Sequence, residues 1–311
     1  MAILLGGFIL IIFLDIRGLI NLPFVERISE WSIGIYTAEG EPMDFRSAAG
    51  VQNPVLTYRD VRDAAADFIA DPFMIRTSGG WYMFFEVMNR RTSQGDIGVA
   101  ESQDGIHWKY RRIILDEPFH LSYPYVFTHD ANIYMLIGTH VNREIRLYRA
   151  NVFPDNWIYD GTLINGEYSD CSLLYFRGKW WLFAAEEGKT LLLFFSNNLR
   201  GEWKQHPMSP ILRNDLHYAR PGGRILFTGK NIYRFAQDDA TSYGRCIWAF
   251  QIMELTEEHY REERILTPVL SLTGDGWNSR GMHNIDLIEV EDGRWLACTD
   301  GVRPGRLVFF R

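Results

Sequence analysis

Apolar and polar residues alternate along this chain in short runs of five to seven residues, broken by Gly, Asn, Asp and Ser, and helical periodicity is nearly absent. That pattern predicts β-strands joined by tight hairpins. One unit recurs five times at intervals of about fifty residues. It is a polar residue, an apolar strand, a turn, and a second strand rich in aromatics. The first strands are read at 71–75, 123–127, 170–175, 220–226 and 283–288. The turns that follow are Ser78-Gly79-Gly80, His129-Asp130-Ala131-Asn132, Arg177-Gly178-Lys179, Thr228-Gly229-Lys230-Asn231 and Glu291-Asp292-Gly293. Their residues tolerate the positive φ that hairpin turns require. Third strands are expected at 97–100, 145–148, 191–195, 247–250 and 307–310.

Five such units predict an all-β, five-bladed β-propeller forming one domain over residues 31–311. The strand at 31–36 precedes the first repeat and is expected to pair with the last blade, closing the ring. Aromatics return after several third strands, at Trp108, Trp157, Trp203 and Tyr260. They are expected to plug the gaps between blades.

A hairpin brings the start of its first strand and the end of its second to the same edge. In a propeller these positions ring one mouth of the central channel. They are Asp71 and Glu86, Tyr123 and His140, Asp170 with Glu186 and Glu187, Arg220 with Asp238, and His283 with Asp300. Carboxylates beside two histidines and an arginine suit the binding of sugar hydroxyls and acid–base chemistry. Asp71 is the leading candidate, because Pro72 stiffens the start of its strand. Arg220 could grip a substrate carboxylate or phosphate, or pair with Asp170 or Asp238.

Composition narrows the field. Phe, Tyr and Trp make up 14% of the 311 residues, a supply of flat faces for sugar rings and equally of β-core packing. The net charge of −7 lacks the basic footprint that nucleic acid demands. Cys171, Cys246 and Cys298 form no metal or disulfide pattern, so they predict buried thiols in a reducing, cytoplasmic compartment. The apolar run within residues 1–30, from Ala2 to Leu14, is too short to span a bilayer and lacks the flanks of a secretory signal. It reads as a membrane-edge anchor, a truncated export segment or an upstream start codon.

Ala70-Asp71-Pro72 followed by Gly80-Trp81-Tyr82 resembles the first blade of glycoside hydrolase family 43. The resemblance implies Asp71 as general base, Asp170 as the residue tuning the acid, and His283 as a holder of a single divalent ion or water in the channel. The fourth blade departs from that pattern. Ala219-Arg220-Pro221 puts alanine where the family keeps its general acid, which leaves Glu186, Glu187 or Asp238 as replacements. A closer likeness runs from Trp31 onward. The segments at 120–127 and 219–224, with Gln237-Asp238, resemble the N-terminal propeller of plant glucosamine inositolphosphorylceramide transferases. It implies a carbohydrate-related propeller of envelope or polysaccharide metabolism. Two readings follow. One is a glycosidase-like enzyme acting on an oligo- or polysaccharide. In it Asp71, Asp170 and Glu186 are catalytic, and Glu86, Tyr123, His140, Arg220, Asp238 and His283 contact substrate. The other is a non-catalytic glycan-binding or scaffolding module serving a glycosyltransferase.

Overall fold

The computed structural model describes residues 25–291, 293–305 and 307–309. The apolar run 2–14 lies outside them. No helix among the described residues is long and apolar enough to cross a membrane.

Five antiparallel sheets form the five blades of a propeller. Blade one runs Ala66–Thr77, Gly80–Asn89, Gln94–Ser102 and Lys109–Leu115. Blade two runs Tyr125–His129, Asn132–Thr139, Glu144–Val152 and Asn156–Asn165. Blade three runs Tyr168–Phe176, Lys179–Glu186, Thr190–Ser196 and Lys204–Gln205. Blade four has only Leu226–Phe227 as its first strand, not the expected 220–226, which contributes isolated bridges at Pro221 and Gly223. It continues through Ile232–Gln237, Cys246–Leu255 and Tyr260–Arg264, with Leu270–Ser271 also pairing to its third strand.

Blade five corrects one expectation. Its third strand is not 307–310 but Glu30–Glu39, which pairs along ten residues with Arg294–Arg303 and carries the short outer strand Arg46–Ser47. Leu307–Phe309 pairs instead with Val25–Arg27 in a separate two-stranded ribbon. The strand at 31–36 therefore closes the ring by completing a blade. The long register with Arg294–Arg303 satisfies both rows of backbone groups, which a three-residue strand could not.

Apolar clusters fill the seams between blades. Trp157 of blade two stands edge-on to Phe84 of blade one, ring centres 5.4 Å apart, and Tyr260 of blade four meets Phe183 of blade three at 5.7 Å. The indole N–H groups of Trp108, Trp157 and Trp203 donate to Gly105 O, Pro154 O and Leu199 O at 2.9, 2.8 and 3.1 Å. These rings are thus tied to their own turns and buried or half-buried.

Polar struts cross the channel. The Arg224 guanidinium pairs with Asp286 at 2.5 Å and donates to Val126 O at 2.8 Å, while Met74 N donates to Asp286 at 2.6 Å. Four blades meet on that one ion pair. At Gly223 the chain runs so close to blade five that a Cβ would stand 1.9 Å from Ile285 O. Only glycine fits, at its φ of 150°.

Candidate active site

Three residues at the same place in successive repeats share an unusual backbone. Asp71, Tyr123 and Asp170 have φ of 53°, 51° and 49°, the left-handed region that non-glycine residues rarely enter. At Asp71 and Asp170 the ladder slips, so that two residues of the inner strand oppose one of its neighbour. Bulges of this kind re-aim a side chain. Here they place two carboxylates at the channel mouth, at the cost of local strain.

Asp71 is 6% exposed and sits in a network built from blades one, two and five. Its backbone N–H donates to Asp300 Oδ2 at 2.9 Å, and its Oδ2 accepts from Tyr123 N at 3.2 Å. Asp300 is wholly buried and engaged on both oxygens, its Oδ1 accepting from the N–H groups of His283 and Asn284 at 3.0 and 3.1 Å. His283 lies between the two carboxylates, Nδ1 2.7 Å from Asp300 and Nε2 3.7 Å from Asp71. Trp31 stacks on its imidazole at 4.1 Å.

Burial pushes the Asp71 carboxyl up to about 7; Asp170 and Asp300 add to the rise, and His283 and Arg220 oppose it. Burial alone would lower His283, but Asp300 and Asp71 outweigh it and hold the imidazole up to about 9. The site therefore pairs a titrating carboxyl with an imidazolium at neutral pH.

Blade three and blade four form the other half. Asp170 is buried and receives the Arg220 Nε and, at 2.9 Å, Gln237 Nε2. Arg220 also lies 3.5 Å from Asp239 and covers the ring of Tyr243 at 5.1 Å. Tyr243 is half exposed at 50% and forms an aromatic rim to the mouth.

The other sequence candidates fall in different places. Glu86 is buried beside the cluster, with His120 Nε2 3.5 Å from its Oε1. Tyr123 supplies its backbone N–H to Asp71, but its ring is core and its hydroxyl bridges Ser172 Oγ and Gly223 at 3.0 and 2.6 Å. Asp238 is turned away from Arg220, pairing with His217 at 3.1 Å and accepting from Ala240 N at 3.1 Å. Its neighbour Asp239 faces Arg220 instead. Glu186, the last residue of its strand, and Glu187 and His140, on the turns that follow second strands, are exposed, and Glu187 pairs with Lys189 at 2.8 Å. Ala219 is fully buried among apolar residues of blades three and four. Sequence reasoning missed Asp239, Trp31, Tyr243 and His120. The Asp238-Asp239 doublet was the one available signal, since alternation decides which of two neighbours faces inward.

Asp71, His283 and Asp300 present ligand atoms within 4.8 Å of one another. Asp300 already has both oxygens accepting backbone N–H groups, so the trio suits a divalent ion poorly.

Known proteins agree with this architecture. The chain is 36% identical to glucosamine inositolphosphorylceramide transferase 1 of Oryza sativa subsp. japonica over 314 residues, covering 93% of this chain and 42% of the relative. This chain thus spans less than half the length of that protein. A β-1,2-mannobiose phosphorylase from Listeria innocua superposes with a TM-score of 0.60 at 14% identity, over 85% of this chain and 96% of that one. An exo-1,5-α-L-arabinanase from a bovine ruminal metagenomic library gives 0.53 at 18%, over 80% and 98%. These two show the fold, a five-bladed propeller. The sequence profile described as "Glucosamine inositolphosphorylceramide transferase 1, N-terminal" matches residues 28–302, and the chain belongs to that family.

Proposed function

We propose that this carbohydrate-related propeller binds a glycan at the mouth bounded by Asp71, His283, Arg220 and Tyr243, and that Asp71 transfers a proton during cleavage of a glycosidic bond. One observation carries the reading. Asp71 is a buried carboxyl held on a strained bulge, poised near 7 between a cationic imidazole and further carboxylates. Such a group can take or release a proton at neutral pH. Tyr243 offers an exposed aromatic face, and Asp170 keeps Arg220 in place beside it.

The test is incubation with a panel of oligosaccharides and glycoconjugates, product analysis, and calorimetric binding. Asp71→Asn should bind the substrate normally and lose about 10²–10⁴-fold in turnover. Undiminished turnover would remove Asp71 from the chemistry.

A second reading has its own support. Ala219 fills the position of the family 43 acid with a buried methyl group, which suits a glycan-binding module that presents its ligand to a glycosyltransferase. Wild-type protein that binds an oligosaccharide and releases no product would favour it.

A further inference from the structure

We propose that Glu86 is the proton-donating carboxyl of this mouth, supported by His120, and that it fills the role Ala219 cannot. The inference rests on the glycosidic reading above and names its second acid.

Glu86 lies on the second strand of blade one directly across from Ala70, so its backbone stands one strand spacing, about 5 Å, from the residue preceding Asp71. Its carboxyl is buried, and Oε1 has no hydrogen-bond partner. A buried oxygen left this way is unusual, because desolvation is uncompensated. His120 is the polar group beside it. Gly95 N–H donates to His120 Nδ1 at 2.9 Å, so Nδ1 is the unprotonated nitrogen. Nε2 then carries the hydrogen and faces Glu86 Oε1 across 3.5 Å. Burial lowers the His120 imidazole, which keeps it neutral in this tautomer.

The pocket around the pair is tight. A Cβ on Gly95 would lie 2.2 Å from Leu121 O, 2.9 Å from Glu86 Oε1 and 3.0 Å from the His120 ring. Burial, reinforced by Asp71, holds the Glu86 carboxyl well above the usual range. Asp71, pushed up to about 7, and Glu86, held well above the usual carboxylate range, are two neighbouring carboxyls in different surroundings, an imidazole and carboxylates for one and His120 for the other.

In the step, the bond from the anomeric carbon to the leaving oxygen breaks with its electron pair going to that oxygen. The leaving oxygen takes the proton from Glu86. Water adds its oxygen to the anomeric carbon and gives its proton to the Asp71 carboxylate. His120 Nε2–H pairs with the Glu86 carboxylate so formed, and the proton on Asp71 returns to Glu86 through water in the mouth. Glu86 touches the reacting atoms; His120 is a positioning residue.

Two measurements test this. In the protein without ligand at pH 7, infrared spectra should show protonated-carboxyl absorption from which Glu86→Gln removes one component, distinct from the component that Asp71→Asn removes. Identical spectra for wild type and variant would overturn the proposal, whether or not any glycoside turns over. With aryl glycosides of graded leaving groups, Glu86→Gln should lose about 10²–10⁴-fold on the poorest leaving group and less than about tenfold on the best. A loss independent of leaving group would mean a structural role and sink the assignment. Asp71→Asn should lose on all of them; if it does not, the glycosidic reading falls while the infrared result still stands. His120→Phe removes the donor to the carboxylate, so the Glu86 band should persist to higher pH. An unmoved band would refute the part given to His120.

Discussion

Replacing Asp71 by Asn should change how stability depends on pH, and the sign follows from the burial of this carboxyl. Its folded pKa of about 7 is above the unfolded value of about 3.9. The folded state therefore binds the proton more tightly. Its contribution is fully present below about pH 4 and is lost as pH rises from there to 7. Three units at about 1.4 kcal/mol each give a loss of about 4 kcal/mol. His283 adds a second decline. Its folded pKa of about 9 exceeds the unfolded 6.5, so its stabilisation is present below about pH 6.5 and lost by pH 9, about 3 kcal/mol more. Urea unfolding from pH 4 to 9 measures both. The stability of Asp71→Asn minus that of wild type should rise by about 4 kcal/mol between pH 4 and pH 8. The variant also loses one of the two carboxylates that hold His283 protonated, so its own alkaline decline should begin at lower pH. A wild-type-to-variant difference that stays constant across pH would refute the claim that Asp71 is held up by burial.

Arg220→Met leaves Asp170 buried with Gln237 as its remaining side-chain partner, and removing one partner of such a pair costs about 3–5 kcal/mol. At about 2 °C per kcal/mol for a chain of this size, the thermal midpoint should fall by about 6–10 °C. Arg220→Met combined with Asp170→Asn should recover most of that loss, and simple additivity in the double variant would show that the two residues do not act as a pair. Gly223→Ala puts a methyl group 1.9 Å from Ile285 O at a φ of 150°, so it should cost more than about 4 kcal/mol and abolish the folded protein. A midpoint within a few degrees of wild type by circular dichroism would contradict the close contact of blades four and five.

What could be read in advance was what local physics decides. Turn residues and period-two alternation are properties of a few neighbouring positions, so most strands and the positions Asp71, Asp170 and His283 followed from them. Arg220, in contrast, precedes a first strand that shrank from 220–226 to Leu226–Phe227. Ring closure was different. The strands at 30–39 and 307–309 are both apolar, and the pairing is settled by length of register with Arg294–Arg303, a comparison across most of the chain. The bulges at Asp71 and Asp170 have no local signature beyond Pro72, yet they aim the carboxyls. A one-residue matter of alternation separates Asp238, turned to His217, from Asp239, turned to Arg220.

Ala219 shows why resemblance and geometry must be combined. A motif comparison marks it as a missing acid. The structure shows that its side chain points into the seam between blades three and four, where a carboxylate would be buried without a partner, while Arg220 beside it is tied to Asp170. Blade four has become a brace. On the proposed reading the proton-active groups lie in blades one and five, where Asp71 and His283 meet at Asp300 and Glu86 lies on the strand beside Asp71. The departure from the family pattern thus moves the search for the second carboxyl from the fourth blade to the first.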